Sequence, residues 1–166
     1  KLRKTTGIEV VYYSIAEWID SAKKIDDDII EKEFQKKFKG STIPVTKEIV
    51  KNNLSLEIAL LDYIKRENIT GVALKCWPEL QNLLNSSGCM INSDLIDMGI
   101  MASCEADLPG LVMMDILNKL TQKSIFFADI VAKTKDDYLK VWHCGVGPKS
   151  LAEDDSKCEY IEQATM

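Results

Sequence analysis

Apolar positions along the chain switch repeatedly between strand spacing and helix spacing. Gly7 is followed by Ile8-Glu9-Val10-Val11-Tyr12-Tyr13, a β-branched and aromatic run that predicts a strand over 8–13. Ser14-x-x-Glu17 has the spacing of a capping box and opens an amphipathic segment to about Ile25. The triplet Asp26-Asp27-Asp28 suits the start of a second helix, and Lys36-Lys37-Phe38-Lys39-Gly40 suits its end. The triplet also has the composition of a metal site, but consecutive carboxylates point in different directions around a helix start, which favours the cap. After Thr46, the positions Ile49, Val50, Leu54, Ile58, Leu61 and Ile64 keep a helical period to Glu67, with a break expected near Asn52-Asn53.

Thr70-Gly71 ends that helix. Val72 to Cys76 reads as a short strand, and Trp77-Pro78-Glu79 begins another helix, with proline in its first turn. Asn85-Ser86-Ser87-Gly88 is a turn, and Asn92 or Ser93 caps a short helix to Met98-Gly99. A strand over 100–104, a helix from about Leu108 to Thr121 and a strand over 124–128 predict a βαβ unit, its connection long enough for a parallel crossover. Tyr138 to Cys144 reads as a last strand, leading into Gly145-Val146-Gly147-Pro148 and a polar tail. The alternation predicts an α/β fold whose parallel sheet has helices on both faces. Gly145-x-Gly147 is too short for a dinucleotide fingerprint.

Composition narrows the function. A length of 166 residues suffices for one well-buried domain, or one domain and part of another. A net charge of −5 gives no general attraction for nucleic acid or for an anionic membrane. The apolar runs fall short of the roughly 20 residues that cross a bilayer. Five cysteines (Cys76, Cys89, Cys104, Cys144, Cys158), with no C-x-x-C pair, suit free thiols in a reducing cytoplasm. The first residue is lysine, and Lys1-Leu2-Arg3-Lys4 resembles the basic end of a helix, so a piece of a longer polypeptide is expected.

The candidate chemistry gathers at strand ends. Cys104-Glu105-Ala106-Asp107 closes one apolar run and Phe126-Phe127-Ala128-Asp129 another. Carboxylates are poor strand formers and costly to bury unpaired, whereas ligands of open α/β sheets bind beyond the carboxyl ends of the strands. Two such carboxylates held close together share a proton or bind a cation, and oxygen ligands with open positions suit Mg²⁺ or Mn²⁺. The plainer alternative is that Glu105 caps or salt-bridges locally and Asp129 merely ends a strand. His143, the single histidine, stands in Trp142-His143-Cys144-Gly145, where the following glycines let backbone approach a ligand; a core or surface histidine is its alternative. Trp77 is either core or a platform on which a sugar stacks. Cys76, Cys104 and Cys144 also lie at strand ends, but without a second histidine a cysteine hydrolase is disfavoured.

Together these motifs resemble a known family. From about Val72 to Leu151, the stretches Ala73-Leu74-Lys75-Cys76-Trp77-Pro78-Glu79, Asp97-Met98-Gly99-Ile100, Cys104-Glu105-Ala106-Asp107-Leu108-Pro109-Gly110, Phe127-Ala128-Asp129 and Trp142-His143-Cys144-Gly145 resemble the L-fucose isomerase family and its fucose isomerase-like relatives. The 24-residue separation of Glu105 and Asp129 is similar to the family's spacing. The resemblance implies a Rossmann-like three-layer α/β/α fold with a mainly parallel sheet, residues 1–121 forming the family's middle domain and 122–166 a truncated beginning of its C-terminal domain. It implies a cytoplasmic, homo-oligomeric ketol isomerase that interconverts an aldose and a ketose through an enediol, using Mn²⁺ or another divalent ion. By that resemblance Glu105 and Asp129 are metal ligands and the acid/base pair, and Trp77 and His143 lie against the sugar. The family's metal-binding histidine from the C-terminal domain has no counterpart after His143, so half a site is expected. A non-catalytic sugar-binding or regulatory module of the same fold is the alternative.

Overall fold

The computed structural model describes residues 2–39, 43, 45–144 and 147–153. The expected turn at Gly145-Val146, the polar tail beyond residue 153 and Cys158 lie outside the described residues. Helices α1 (Leu2–Thr6), α2 (Ile15–Ala22), α3 (Asp27–Phe38) and α4 (Lys47–Arg66) come first. They are followed by β1 (Gly71–Ala73), α5 (Glu79–Leu84), α6 (Cys89–Asp97), β2 (Met101–Ser103) and α7 (Leu108–Thr121), then by β3 (Asp129–Lys133) and β4 (Leu139–Trp142).

The helix signals hold where side chains cap locally. The Ser14 N–H donates to Glu17 Oε2 at 3.4 Å, and Asp26 Oδ1 accepts from the Asp28 N–H at 2.8 Å, so the acidic triplet is a cap. The break expected at Asn52-Asn53 does not occur. Asn52 Nδ2 reaches the Leu84 carbonyl at 3.3 Å and Asn53 Nδ2 the Ile49 carbonyl at 3.1 Å, which leaves the backbone ladder of α4 uninterrupted. Helix α6 starts at Cys89 rather than at the Asn92 or Ser93 cap.

Two strand assignments are corrected. Residues 8–13 form no strand, because among the described residues no other segment pairs with them. Tyr13 instead stacks on Tyr63 of α4, with ring centroids 3.8 Å apart. Residues 124–128 also form no strand, so the parallel unit expected across α7 is absent. β2 pairs in parallel with β1, in the register Gly71↔Met101, Val72↔Ala102, Ala73↔Ser103, across a crossover that carries α5 and α6. β3 pairs antiparallel with β4 in a separate hairpin whose residues are exposed. Sequence patterning located β1, β2 and β4 but not β3, and it named none of their partners.

The larger core runs from Trp18 and Leu56 through Leu80, Ile91 and Leu95 to Met101, Ala102 and Cys104. Trp18 Nε1 donates to the Leu56 carbonyl at 2.8 Å, fixing α2 on α4. A smaller core, Ile30, Phe38, Val50 and Leu54, lies between α3 and α4. Lys37 Nζ joins these layers, 2.8 Å from Glu57 Oε2 of α4 and 2.6 Å from Asp94 Oδ2 of α6. Burial works against the Lys37 charge, but Asp94 and Glu57 outweigh it and raise its pKa; burial raises Glu57 as well, against the pull of Lys37.

Lys37→Met leaves Glu57 and Asp94 facing each other without a cation, and a loss of about 3–5 kcal/mol at pH 7 is expected. The folded state holds a proton on Glu57 more tightly than the unfolded chain does. The stability from that group is present below the ordinary carboxylate range and lost as pH rises through the raised value. Urea unfolding of the variant should therefore recover part of the deficit at pH 5.

Candidate active site at the strand ends

Three residues of parallel ladder align the carboxyl ends of β1 and β2, and the segments beyond them form the site. The Leu74 N–H donates to the Ser103 carbonyl at 2.9 Å, and the Ala106 N–H returns to the Leu74 carbonyl at 3.1 Å. The turn between them is pinned: the Asp107 N–H reaches the Cys104 carbonyl at 3.0 Å and Ser103 Oγ the Asp107 carbonyl at 2.8 Å. Glu105 and Ala106 inside it both have left-handed backbones, φ 55° and 57°. Non-glycine residues enter that region at a cost of roughly 1–2 kcal/mol each. Strain of this kind persists only where its surroundings impose it, and it gathers at functional positions. It leaves the Glu105 side chain exposed at the mouth of the sheet.

Asp107 then caps α7, its Oδ1 accepting from the Gly110 N–H at 3.0 Å. Gly110 is required there, since a Cβ would run into the Asp107 carboxylate and lie 2.7 Å from the Phe127 ring. Phe127 in turn packs on His143, ring centroids 5.4 Å apart at 56°. The apolar run Phe126-Phe127-Ala128 thus serves packing rather than a strand, and Asp129 begins β3 instead of ending one. Asp129 is exposed and pairs across the hairpin with Trp142, next to His143.

His143 is half-buried, its Nδ1 3.5 Å from Cys144 Sγ. Burial raises the Cys144 thiol, and the nearby Glu105 carboxylate adds to the rise. Trp77, 54% exposed, follows β1 at the same end of the sheet. The structure therefore places Glu105 and Trp77 beyond the two parallel strands, with Phe127 linking His143 to the start of α7. Asp129 stands in the hairpin, two residues after Phe127 and opposite Trp142, and not, as expected, at the end of a parallel strand beside Glu105. Asp107 and Phe127 received no role from sequence, although aspartate three residues before glycine at a helix start was a readable cap signal.

Oxygen donors from Glu105 and Asp129 have the chemistry Mn²⁺ prefers, but they are too few. Among the described residues no group of three His, Cys, Asp or Glu side chains stands where it could hold a metal ion. These residues do not make up a Mn²⁺ site by themselves. A concavity of about 450 Å³ lies elsewhere, between α2, α3 and α4 beside Ile30, Lys51 and Asn52. No helix of the described residues is long and apolar enough to cross a membrane.

No family model matches the chain. Curated relatives do. The chain is 35% identical over 98 residues to a sulfoquinovose isomerase of Alkalicoccus urumqiensis, a match covering 58% of this chain and 22% of that protein. It is 34% identical over 92 residues to one of Priestia aryabhattai (54% and 21%) and 32% identical over 96 residues to one of Clostridium sp. strain MSTE9 (57% and 22%). Sugar isomerases are what this chain is similar to. The match spans about a fifth of the length of these relatives.

Gly110→Ala is expected to destabilise the protein by about 1–3 kcal/mol through overpacking against Asp107 and Phe127. Thermal unfolding measures the loss, and a shift of the His143 ring resonances reports whether Phe127 has moved.

Proposed function

We propose that this chain forms part of an aldose–ketose sugar isomerase, akin to the L-fucose isomerases. The observation that carries this reading is the similarity to three sulfoquinovose isomerases across more than half of the chain. The strained turn that presents Glu105 at the end of a parallel strand supports it. In this reading Glu105 and Asp129 are the acid/base pair that moves a proton between C1 and C2 through an enediol. Abstraction next to a carbonyl requires a positioned base and a proton donor, and carboxyl groups serve in both roles. Trp77 offers an exposed ring face to the sugar, and His143 a polar edge held in place by Phe127.

Glu105 and Asp129 also contribute two ligands to a Mn²⁺ site whose other ligands come from polypeptide outside this chain. The hairpin and α7 each leave apolar side chains exposed, among them Ile130, Val141, Trp142 and Leu120, as in surfaces that a larger cytoplasmic homo-oligomer covers. The alternative is a sugar-binding or regulatory module of the same fold, which has no need of both carboxylates. The Rossmann-like three-layer fold and the division at residues 121 and 122 belong to the isomerase proposal.

In the longer polypeptide that this reading requires, Glu105→Gln or Asp129→Asn should lower aldose–ketose interconversion by ~10² or more, as removal of a general base does. Sulfoquinovose and L-fucose are the substrates to assay first. Near-normal turnover of both variants would favour the binding module.

For residues 1–166 alone, micromolar Mn²⁺ should leave the melting temperature nearly unchanged, because stabilisation stays near zero until the metal concentration approaches Kd. No ketose should form from either sugar. Tight metal binding together with turnover would show that the site is complete within this chain.

A further inference from the structure

Four cysteines gather beneath the same end of the parallel sheet. Cys76 follows β1, Cys104 follows β2, Cys89 begins α6, and Cys144 packs against the core cluster that holds the other three. Cys76 and Cys104 are 3% and 2% exposed, and the register that pairs Ala73 with Ser103 brings the segments carrying them side by side. The two thiols are hydrogen-bonded to each other. None of the four is in a disulfide. They form no group able to hold a metal, so the contact between Cys76 and Cys104 invites chemistry between the sulfurs themselves.

The surroundings of the pair are unequal. Besides Cys104, Cys76 receives hydrogen bonds from the Gly88 backbone and the Gln81 side chain, at the entrance to α6. Gly88 is held close: a Cβ there would collide with Leu74 and lie 3.2 Å from Cys76 Cβ. Donors converging on one sulfur at a helix start stabilise its anion. The Cys104 hydrogen bond, followed by these others, overcomes burial and lowers the Cys76 pKa, whereas burial pushes Cys89 up to about 12. With more donors converging on its sulfur, Cys76 is the better placed of the two to act as nucleophile, and Cys104, its hydrogen-bond partner, to resolve it.

We propose that Cys76 and Cys104 form a peroxide-sensitive dithiol, oxidised to a disulfide that ties the end of β1 to the end of β2. The Cys76 thiolate attacks one oxygen of hydrogen peroxide. An S–O bond forms, the O–O bond breaks, and the departing hydroxide takes up a proton to become water. The resulting sulfenic acid is attacked by Cys104 sulfur; the S–S bond forms, the S–O bond breaks, and hydroxide leaves with the Cys104 proton as a second water. Two thiols have lost two electrons to one peroxide. Hydrogen peroxide is barely larger than water, and Cys76 directly precedes the exposed Trp77. Since Cys104 is the first residue of the strained turn that carries Glu105, the bridge ties the start of that turn to the segment after β1. This inference does not depend on the isomerase reading.

The test uses the reduced 166-residue chain treated with one equivalent of hydrogen peroxide, alkylated, and cut at acidic residues. Sites at Glu79, Asp94 and Asp97 separate Cys76, Cys89 and Cys104 onto different peptides. Mass spectrometry should find the Cys76 and Cys104 peptides joined, two hydrogens lighter and separable by dithiothreitol, with Cys89 alkylated. In Cys104→Ala the Cys76 sulfenic acid should persist and be captured by dimedone without any cross-link. Should that variant fail to fold, the linkage found in the unaltered chain decides the question. Recovery of both Cys76 and Cys104 as alkylated thiols after peroxide, or a bridge between Cys89 and Cys144 instead, would overturn the proposal.

Discussion

The parallel ladder between Gly71–Ala73 and Met101–Ser103 is short, yet the arrangement of the site depends on it. Because the strands run the same way, both carboxyl ends open on one side, and the loops that leave them must pass close together. The continuation of the ladder through Leu74 and Ala106 then forces the Cys104–Asp107 turn into a left-handed path. The backbone cost of that path is met by buried packing on both sides, Leu74 and Cys76 from one strand and Met101 to Cys104 from the other. A turn relaxed by a different pairing would present Glu105 elsewhere.

Packing around α7 extends the same constraint to the second half of the chain. Asp107 both ends the strained turn and caps α7, so the helix start cannot move independently of Glu105. Gly110 leaves room for Phe127, and Phe127 holds His143. A linear series of contacts thus carries the position of the β2 end to the hairpin that bears Asp129. On the far side, the 3-10 turn Lys149–Leu151 is secured by Asp97 at the end of α6, whose carboxylate accepts from the Lys149 N–H at 2.9 Å and the Ser150 N–H at 3.3 Å.

The buried ionic group of Lys37, Glu57 and Asp94 supports the scaffold from the other side. It ties α3 to both α4 and α6, and α6 is the helix whose first turn faces Cys76. Removing two carboxylates from water is costly, so the group is maintained only because one lysine serves both.

Local signals in the sequence were sufficient wherever a residue acts on its own neighbours. The Asp26 cap, the period of α4 and the strands at 71–73 and 101–103 were legible because caps and periodicity are short-range properties. The position of Glu105 after an apolar run was legible for the same reason. Partnership was not. Residues 8–13 have strand composition without a strand beside them, and 124–128 have it while packing as an aromatic cover on α7. A strand exists only when a second one satisfies its backbone groups, and no local pattern names that second one. Only the tertiary structure could place Asp129 at the start of a hairpin, strain Glu105 into a left-handed turn, and bring Cys76 against Cys104 across 28 residues of chain, because each of these depends on which strand lies next to which.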